Sequence, residues 1–385
     1  MNYQNSQQLT IQQAISRAKK ATKKGKIADA VELYNAVLQQ QPNHPFAKKA
    51  LRKLQKGLPQ NQSAQAETTQ PSQDQIAALV NLYQSGQMIK AEQACRELLQ
   101  TYPQSLIAIN VLGLALQGQG KLQEAVQAYD KAIQLKPDFA EAHSNRGNVL
   151  KDLDRLDEAV ASCDKAIQLK PDFAGAHSNR GNALRALGLP NEALKSYDKA
   201  IQLNPDFTVA HNNRGNALQG LGHLEEAVAS YRKAIALKPD YADAHSNLGI
   251  TLRDLGRLEE AEASCRQAIA LKPDFVDAHS NLGNTLRDLG RLEEAEASYR
   301  QAIALKPDYA EAHYNLGITL QELGRSKDAE ASYRQAILLK SDFVDAHSNL
   351  GNALRDLGRL EEAEASYRQA IALKPDYADA HYNLG

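Results

Sequence analysis

The sequence predicts an all-α fold built as a solenoid of antiparallel helix pairs. A tripeptide, Lys-Pro-Asp in most copies, returns every 34 residues from Lys136-Pro137-Asp138 to Lys306-Pro307-Asp308. A fixed period in this range marks a tandem array in which each unit contacts only its neighbours. We therefore expect function in a repeated stripe of side chains rather than in a single pocket.

Each unit has the pattern of a helical hairpin, as the segment from Val276 to Tyr309 shows when its residues are numbered 1 to 34. The His, Leu and Gly residues at positions 4, 7, 8, 11 and 14 have the spacing of an amphipathic helix, here called helix A. Gly290 at position 15 ends helix A, and a second periodic series forms helix B up to Pro307. Asp308, followed three residues later by Glu311, predicts a capping box at the start of the next helix A.

Composition divides the chain into three segments. Residues 1–56 form a basic helical module with eleven Lys or Arg and two acidic residues, whereas the rest of the chain holds 34 basic and 44 acidic residues. Residues 57–71 are rich in Gln, Ser, Thr and Pro, which predicts a flexible linker. Residues 72–385 form the array, nine full repeats plus a truncated tenth. Because the tenth unit lacks a helix B to cover the apolar surface before it, we expect the sequence to be a fragment of a longer protein.

The sequence argues against catalysis, secretion and membrane insertion. No apolar leader follows Met1 and no apolar run is long enough to span a bilayer, so a cytoplasmic protein is expected. Phosphate-binding loops, nucleophile elbows and paired Cys or His metal motifs are absent, so we expect no enzyme, cofactor, metal or small-molecule substrate. The basic module leaves nucleic acid or an anionic surface as an alternative partner. No stacking aromatics are interleaved with its lysines, however, and a solvated helix face is the favoured interpretation.

Two recurrent residue types are assigned to packing. Histidines occupy position 4 once per unit, and units stacked about 10 Å apart cannot bring them within the roughly 2 Å of one ion that metal ligation needs. Cysteines occupy position 24 in three units, where other units have Tyr, and are expected to be reduced core residues. These residues are His143, His177, His211, His245, His279, His313, His347 and His381, with Cys95, Cys163 and Cys265.

Arginine replaces leucine at position 7 in three units, at Arg146, Arg180 and Arg214. An arginine at the edge of the buried stripe needs a partner, and the sequence offers Asp164 and Asp198 at position 25. We expect these acids to pair within their own units. The unit of Arg214 has Arg232 at position 25, so there the pairing either fails or uses Asp198 of the preceding unit. All three arginines are interpreted as structural.

The pattern resembles the tetratricopeptide repeat family. Small residues stand where two helices approach closely, at positions 8, 20 and 27, for example Gly283, Ala295 and Ala302. The resemblance implies a right-handed superhelix whose concave side is lined by helix A. Departures from the family pattern are His instead of Trp at position 4, Asp154 instead of Gly at position 15, and Ser341 instead of Pro at position 32.

A polar stripe on helix A is the candidate binding surface. At 100° per residue, positions 2, 6, 9 and 13 lie opposite the core positions. Position 6 is Asn in every unit from Ala140 onward, although Asn is a poorer helix former than Glu, Lys or Gln. A carboxamide can bind the N–H and C=O of an extended peptide together, so we predict an asparagine ladder for protein or peptide partners. The ladder is Asn145, Asn179, Asn213, Asn247, Asn281, Asn315, Asn349 and Asn383, and auxiliary positions are Asn148, Asn182, Asn216, Asn284, Asn352, Asp277 and Asp288.

The string from Ala278 to Gly283 resembles the tetratricopeptide arm of O-linked N-acetylglucosamine transferases. That resemblance implies that the ladder grips the backbone of extended protein substrates. The favoured hypothesis is a non-catalytic scaffold that holds a peptide or partner protein in its concave groove. The alternative is the substrate-recruiting arm of a transferase, such as a glycosyltransferase, whose catalytic domain would follow Gly385.

Overall fold

The computed structural model describes residues 10–24, 26–41, 44–56 and 70–384, within two compact units, Met1–Pro71 and Ser72–Gly385. In the first unit, helices α1 (Ile11–Lys23), α2 (Ile27–Gln40) and α3 (Pro45–Lys56) pack around small residues and the buried ring of Tyr34. The ammonium of Lys19 lies 4.2 Å from the centre of the Phe46 ring, which joins α1 to α3. The predicted linker, 57–71, falls outside the described residues except for its last two positions.

The second unit is a regular succession of helix pairs, with helices A and B in strict alternation. Helices A are α4 (Gln73–Gln84), α6 (Leu106–Gly118), α8 (Ala140–Asp152), α10 (Ala174–Ala186), α12 (Thr208–Gly220), α14 (Ala242–Asp254), α16 (Val276–Asp288), α18 (Ala310–Glu322), α20 (Val344–Asp356) and α22 (Ala378–Leu384). Helices B are α5 (Met88–Thr101), α7 (Leu122–Leu135), α9 (Leu156–Leu169), α11 (Pro190–Leu203), α13 (Leu224–Leu237), α15 (Leu258–Leu271), α17 (Leu292–Leu305), α19 (Ser326–Leu339) and α21 (Leu360–Leu373). The all-α solenoid is confirmed.

Six of the hairpins close around a glycine at position 8 and a tyrosine ring at position 24. The ring of Tyr299 at position 24 is fully buried against Gly283 at position 8. A Cβ on Gly283 would lie 2.6 Å from that ring, so only glycine permits this approach. In three units a cysteine, Cys95, Cys163 or Cys265, takes the place of the tyrosine, and burial raises the pKa of all three thiols to about 12. The cysteines are buried core residues, as predicted, and their raised pKa keeps the thiols protonated at neutral pH.

The turns explain two sequence features. Gly290 ends its helix A with φ of 75°, and Asp154 takes the same left-handed conformation with φ of 59°. The predicted capping box is wrong, because the N-cap of α18 is Tyr309 and no side chain caps this helix. Instead the imidazole Nε2 of His313 lies 3.0 Å from the carbonyl oxygen of Pro307. A carbonyl can only accept, so Nε2 donates, and the position 4 histidines fasten each turn to the helix that follows.

The helix A side is the inner side of the array. Every helix A contacts the helix A of the next unit, whereas consecutive helices B in the described array make no comparable backbone contact. Units that lie closer on one side than on the other form a curved stack with the closer side inside. Helices A therefore line the concave surface, as the family resemblance implied.

Arginines at position 7 pair with the unit before them, not with their own unit. Arg146 Nε lies 2.6 Å from Asp130, and Arg180 Nε lies 2.6 Å from Asp164. Arg214 pairs with Asp198 at 2.7 Å. The expected pairing within one unit is therefore wrong for Arg146 and Arg180, because position 7 faces the preceding helix B across the interface. The same guanidinium groups also donate to a serine of their own helix B, as Arg180 does to Ser196 at 2.9 Å.

Candidate functional site

The ladder asparagines all lie on the concave side and are half-buried. Most of their side-chain amides donate to the preceding helix A. Asn247 Nδ2 donates to Asn212 Oδ1 at 3.2 Å, and Asn281 Nδ2 donates to Ser246 Oγ at 3.2 Å. The corresponding acceptors are Asn110 for Asn145, the Ser144 carbonyl and hydroxyl for Asn179, Asn182 for Asn213 and the Tyr314 hydroxyl for Asn349. Asn383 instead accepts from Arg355 at 3.1 Å.

These bonds give position 6 an internal role that the sequence did not indicate. Each one joins two consecutive helices A, so the amide sets the spacing of the concave wall as well as facing the groove. The recurrence of Asn is therefore explained in part without a guest. Asn247 and Asn281 keep Oδ1 and one N–H for another partner. In the described part of the chain, the Asn315 amide makes no side-chain hydrogen bond at all.

The auxiliary asparagines at position 9 are linked to the buried tyrosines. The Tyr299 hydroxyl donates to Asn284 Oδ1 at 2.7 Å, and the same bond joins Tyr197 to Asn182 at 2.8 Å. Asn216 and Asn352 accept equivalent bonds from Tyr231 and Tyr367, whereas Asn148 faces a unit with Cys163. Where position 9 is Leu114, the buried hydroxyl of Tyr129 has no partner among the described residues. The first role of the asparagine at position 9 is therefore to accept a hydrogen bond from the hydroxyl of the buried tyrosine.

A polar groove of about 420 Å³ lies across α12, α14 and α16. Its lining includes the ladder residues Asn247 and Asn281 and the carboxylates Asp243 and Asp277 at position 2. No lysine or arginine lines it. Asp288, the other predicted auxiliary acid, lies outside this groove and faces Arg253 at 3.8 Å. The structure thus brings Asp277 together with the ladder and separates Asp288 from it.

Aromatic residues at the start of each helix A complete the groove, and sequence reasoning missed them. Tyr241, Phe275 and Tyr309 line it at the N-caps of successive helices A. Burial and the Asp277 carboxylate raise the pKa of Tyr309. In these three turns a lysine three residues earlier lies over the ring, for example Lys272 at 4.7 Å from the Phe275 centre. Their strict recurrence at position 34 was the signal that could have revealed them.

The outer side carries a second type of groove, between consecutive helices B. Two such grooves of about 410 and 370 Å³ are lined by Leu350 and His347 in one and by Leu316 and His313 in the other. The imidazoles at the base of these grooves belong to separate units. Within the described ranges, no three His, Cys, Asp or Glu side chains are grouped closely enough to hold a metal ion.

Comparison with known families decides the classification. Models described as TPR repeat or tetratricopeptide repeat match residues 113–154, 140–173, 174–207, 212–274, 252–298, 283–324, 310–343 and 351–385. The chain belongs to the tetratricopeptide repeat family. A search of curated proteins gives no match. No helix in the part of this repeat protein that the structure describes combines the length and apolarity needed to cross a membrane.

Solved structures agree on the fold. The chain is similar to the structure titled "Crystal structure of APC/C hetero-tetramer Cut9-Hcn1", with a TM-score of 0.59, 14% identity, and 98% of this chain and 77% of that chain covered. It also resembles PilW, described as a type IV pilus biogenesis factor, with a TM-score of 0.52, 22% identity, and coverage of 55% and 98%. At these identities the likeness establishes the tetratricopeptide fold and nothing further.

Proposed function

We propose that the array is an interaction scaffold that holds an extended peptide segment in its concave groove through the asparagine ladder. Family and fold together support an interaction scaffold. The ladder is the finer part of the proposal, and the observation that carries it is Asn315, whose amide has no internal hydrogen bond although its position repeats in every unit from Ala140 onward. A helix-weakening amide without an internal partner is best explained by an external one.

The groove chemistry is consistent with backbone recognition. Asn247 and Asn281 stand in consecutive helices A and line one continuous groove. Helices packed about 8 to 10 Å apart place successive amides at about the length of three extended residues. A guest that follows the groove would therefore meet one amide per three residues or so, regardless of its side chains.

The test is a peptide-display selection against the full-length protein, followed by affinity measurement of the selected peptides by fluorescence anisotropy. We expect Asn315→Ala alone to weaken binding by about fivefold, the loss of one hydrogen bond, without lowering the melting temperature. The triple variant with Asn247→Ala, Asn281→Ala and Asn315→Ala should weaken binding further. Unchanged affinity in the triple variant, with helical circular dichroism retained, would contradict the ladder.

Ser246→Ala is the matched control for the internal role of the ladder. Ser246 borders the groove but is only 2% exposed, so this change removes the acceptor of the Asn281 amide and leaves the amide itself in the groove. We expect Ser246→Ala to reduce thermal stability while peptide affinity is kept. If Ser246→Ala and Asn281→Ala weaken binding equally, the asparagine acts only by spacing the helices, and its direct contact with a guest is ruled out.

A further inference from the structure

We infer that the groove across α12, α14 and α16 selects extended peptides that carry lysine or arginine at every third residue. This inference rests on the proposed function and adds the chemical class of the guest. Three separate observations lead to it: the state of the position 2 carboxylates, the hydrogen-bonding capacity left on the ladder, and the spacing of successive helices A.

The first observation is that the length of the position 2 side chain decides whether its charge is available. Glu141 and Glu311 reach the lysine at the end of their own units, at 3.4 Å from Lys170 and 3.7 Å from Lys340. Asp243 and Asp277 are one methylene shorter and make no ion pair in the described structure. Lys272 and Lys306 lie over the rings of Phe275 and Tyr309, just as the paired Lys170 lies over Phe173, so the shorter acid and not the lysine position leaves these carboxylates without an ion pair. Two carboxylates without an ion pair among the described residues therefore line the groove, and Asp277 has only the neutral hydroxyl of Tyr309 beside it.

The second observation is that the ladder offers mainly acceptors at this place. Asn247 and Asn281 each use an amide N–H on the preceding helix A, and no described group donates to Oδ1 of either residue. The nearest buried amide, Asn212, is 5% exposed and has both its Oδ1 and its Nδ2 engaged. Acceptor oxygens and carboxylates together favour a guest rich in donors, and lysine and arginine side chains carry only donors.

The third observation is geometric. Asp243 and Asp277 occupy the same position in consecutive helices A, and packed helices lie about 8 to 10 Å apart. A polyproline II chain advances about 9 Å in three residues and returns the same face to the wall at each third residue. The rings of Tyr241 and Phe275 also line the groove, and each carries an internal lysine over one face.

The experiment uses full-length protein and three labelled peptides of roughly twelve residues with the repeat Lys-Pro-Ser, Glu-Pro-Ser or Gln-Pro-Ser, which favour the extended helix. Affinity is measured by anisotropy at about physiological ionic strength. The test variant combines Asp243→Asn with Asp277→Asn. The control combines Asp240→Asn with Asp274→Asn, two exposed turn residues outside the groove, so that the net charge changes equally.

We expect the lysine peptide to bind most tightly, and the groove variant to weaken it by about fivefold or more, the effect of losing two partly exposed charge pairs. The control variant should change its affinity by less than about twofold. Equal weakening by both variants, or equal affinity for the lysine and glutamine peptides, would overturn the charge selection and leave backbone binding intact. Failure of all three peptides to bind would overturn the proposed function together with this inference.

Discussion

The array contains two kinds of interface between consecutive units. In the three arginine interfaces, which end at Arg146, Arg180 and Arg214, an aspartate at position 25 of one unit pairs with the arginine at position 7 of the next. In the six leucine interfaces, position 25 is arginine and position 7 is leucine, as in Arg266 with Leu282. There the arginine turns across the surface to acids of its own and the next helix B, as Arg266 does to Glu262 and Glu294. The helix pairing is the same in both.

The comparison shows that position 25 of one unit and position 7 of the next unit act as one pair. The unit from Thr208 joins the two kinds, because Arg214 pairs backward with Asp198 while Arg232 pairs forward with Glu260 at 2.8 Å. An open apolar groove remains beside Leu316 and Leu350, whereas the guanidinium groups bridge the same place in the arginine interfaces. Aspartate at position 25 with arginine at position 7 forms a stable interface, and so does arginine at position 25 with leucine at position 7. Arginine at both positions should destabilise it.

The largest expected effect comes from Leu282→Arg, which puts the residue of an arginine interface into a leucine interface. Leu282 is 5% exposed and faces the unit that carries Arg266. The new guanidinium would be half-buried beside a like charge, so we expect a loss of about 3 kcal/mol in unfolding free energy. Urea denaturation measures the loss of unfolding free energy, and hydrogen exchange measures the local stability of α15 and α16.

Leu282→Met is the control for this change, because it keeps volume and apolarity and should cost less than about 1.5 kcal/mol. Hydrogen exchange should show the damage confined to the units on either side of the substitution, since solenoid units contact only their neighbours. If the Leu282→Arg variant is as stable as the wild type, positions 7 and 25 are independent. The two kinds of interface would then not differ in their residue requirements for stability.

A smaller effect is expected inside the hairpins. The unit from Leu106 has Leu114 at position 9, and its buried tyrosine hydroxyl has no partner among the described residues. Asn284→Leu removes the acceptor of the buried Tyr299 hydroxyl and reproduces the situation of Leu114 beside Tyr129. We expect a loss of about 1 to 2 kcal/mol, and the reverse change Leu114→Asn should gain up to about 1 kcal/mol. Thermal melting of both variants checks the pair. A stabilising Asn284→Leu would show that this asparagine is kept for a guest and not for the core.

The sequence was sufficient for the features that repeat locally. The alternation of helices A and B, the left-handed glycine that ends helix A and the buried cysteines follow from periodicity and from the residue types at fixed positions. Features that depend on which neighbour faces a side chain were not predictable, and the partner of Arg146 is the clearest case. The internal bonds of Asn247 and Asn281 were missed for the same reason, because the angle around one helix does not reveal the distance to the next. The capping box failed because α18 starts at Ala310, which makes Tyr309 the N-cap and leaves Asp308 one residue too early.

The smallest expected effect is also the most direct test of the comparison. Asp164→Arg breaks the pair with Arg180 and sets two guanidinium groups against each other, at a cost of about 1 kcal/mol because both sites are partly exposed. Adding Arg180→Leu converts this interface to the leucine type, and the new arginine can reach Glu192 as Arg232 reaches Glu260. We expect the double variant to regain most of the loss. A double-mutant cycle of urea midpoints measures the coupling, and strictly additive changes would show that the two positions are not a pair.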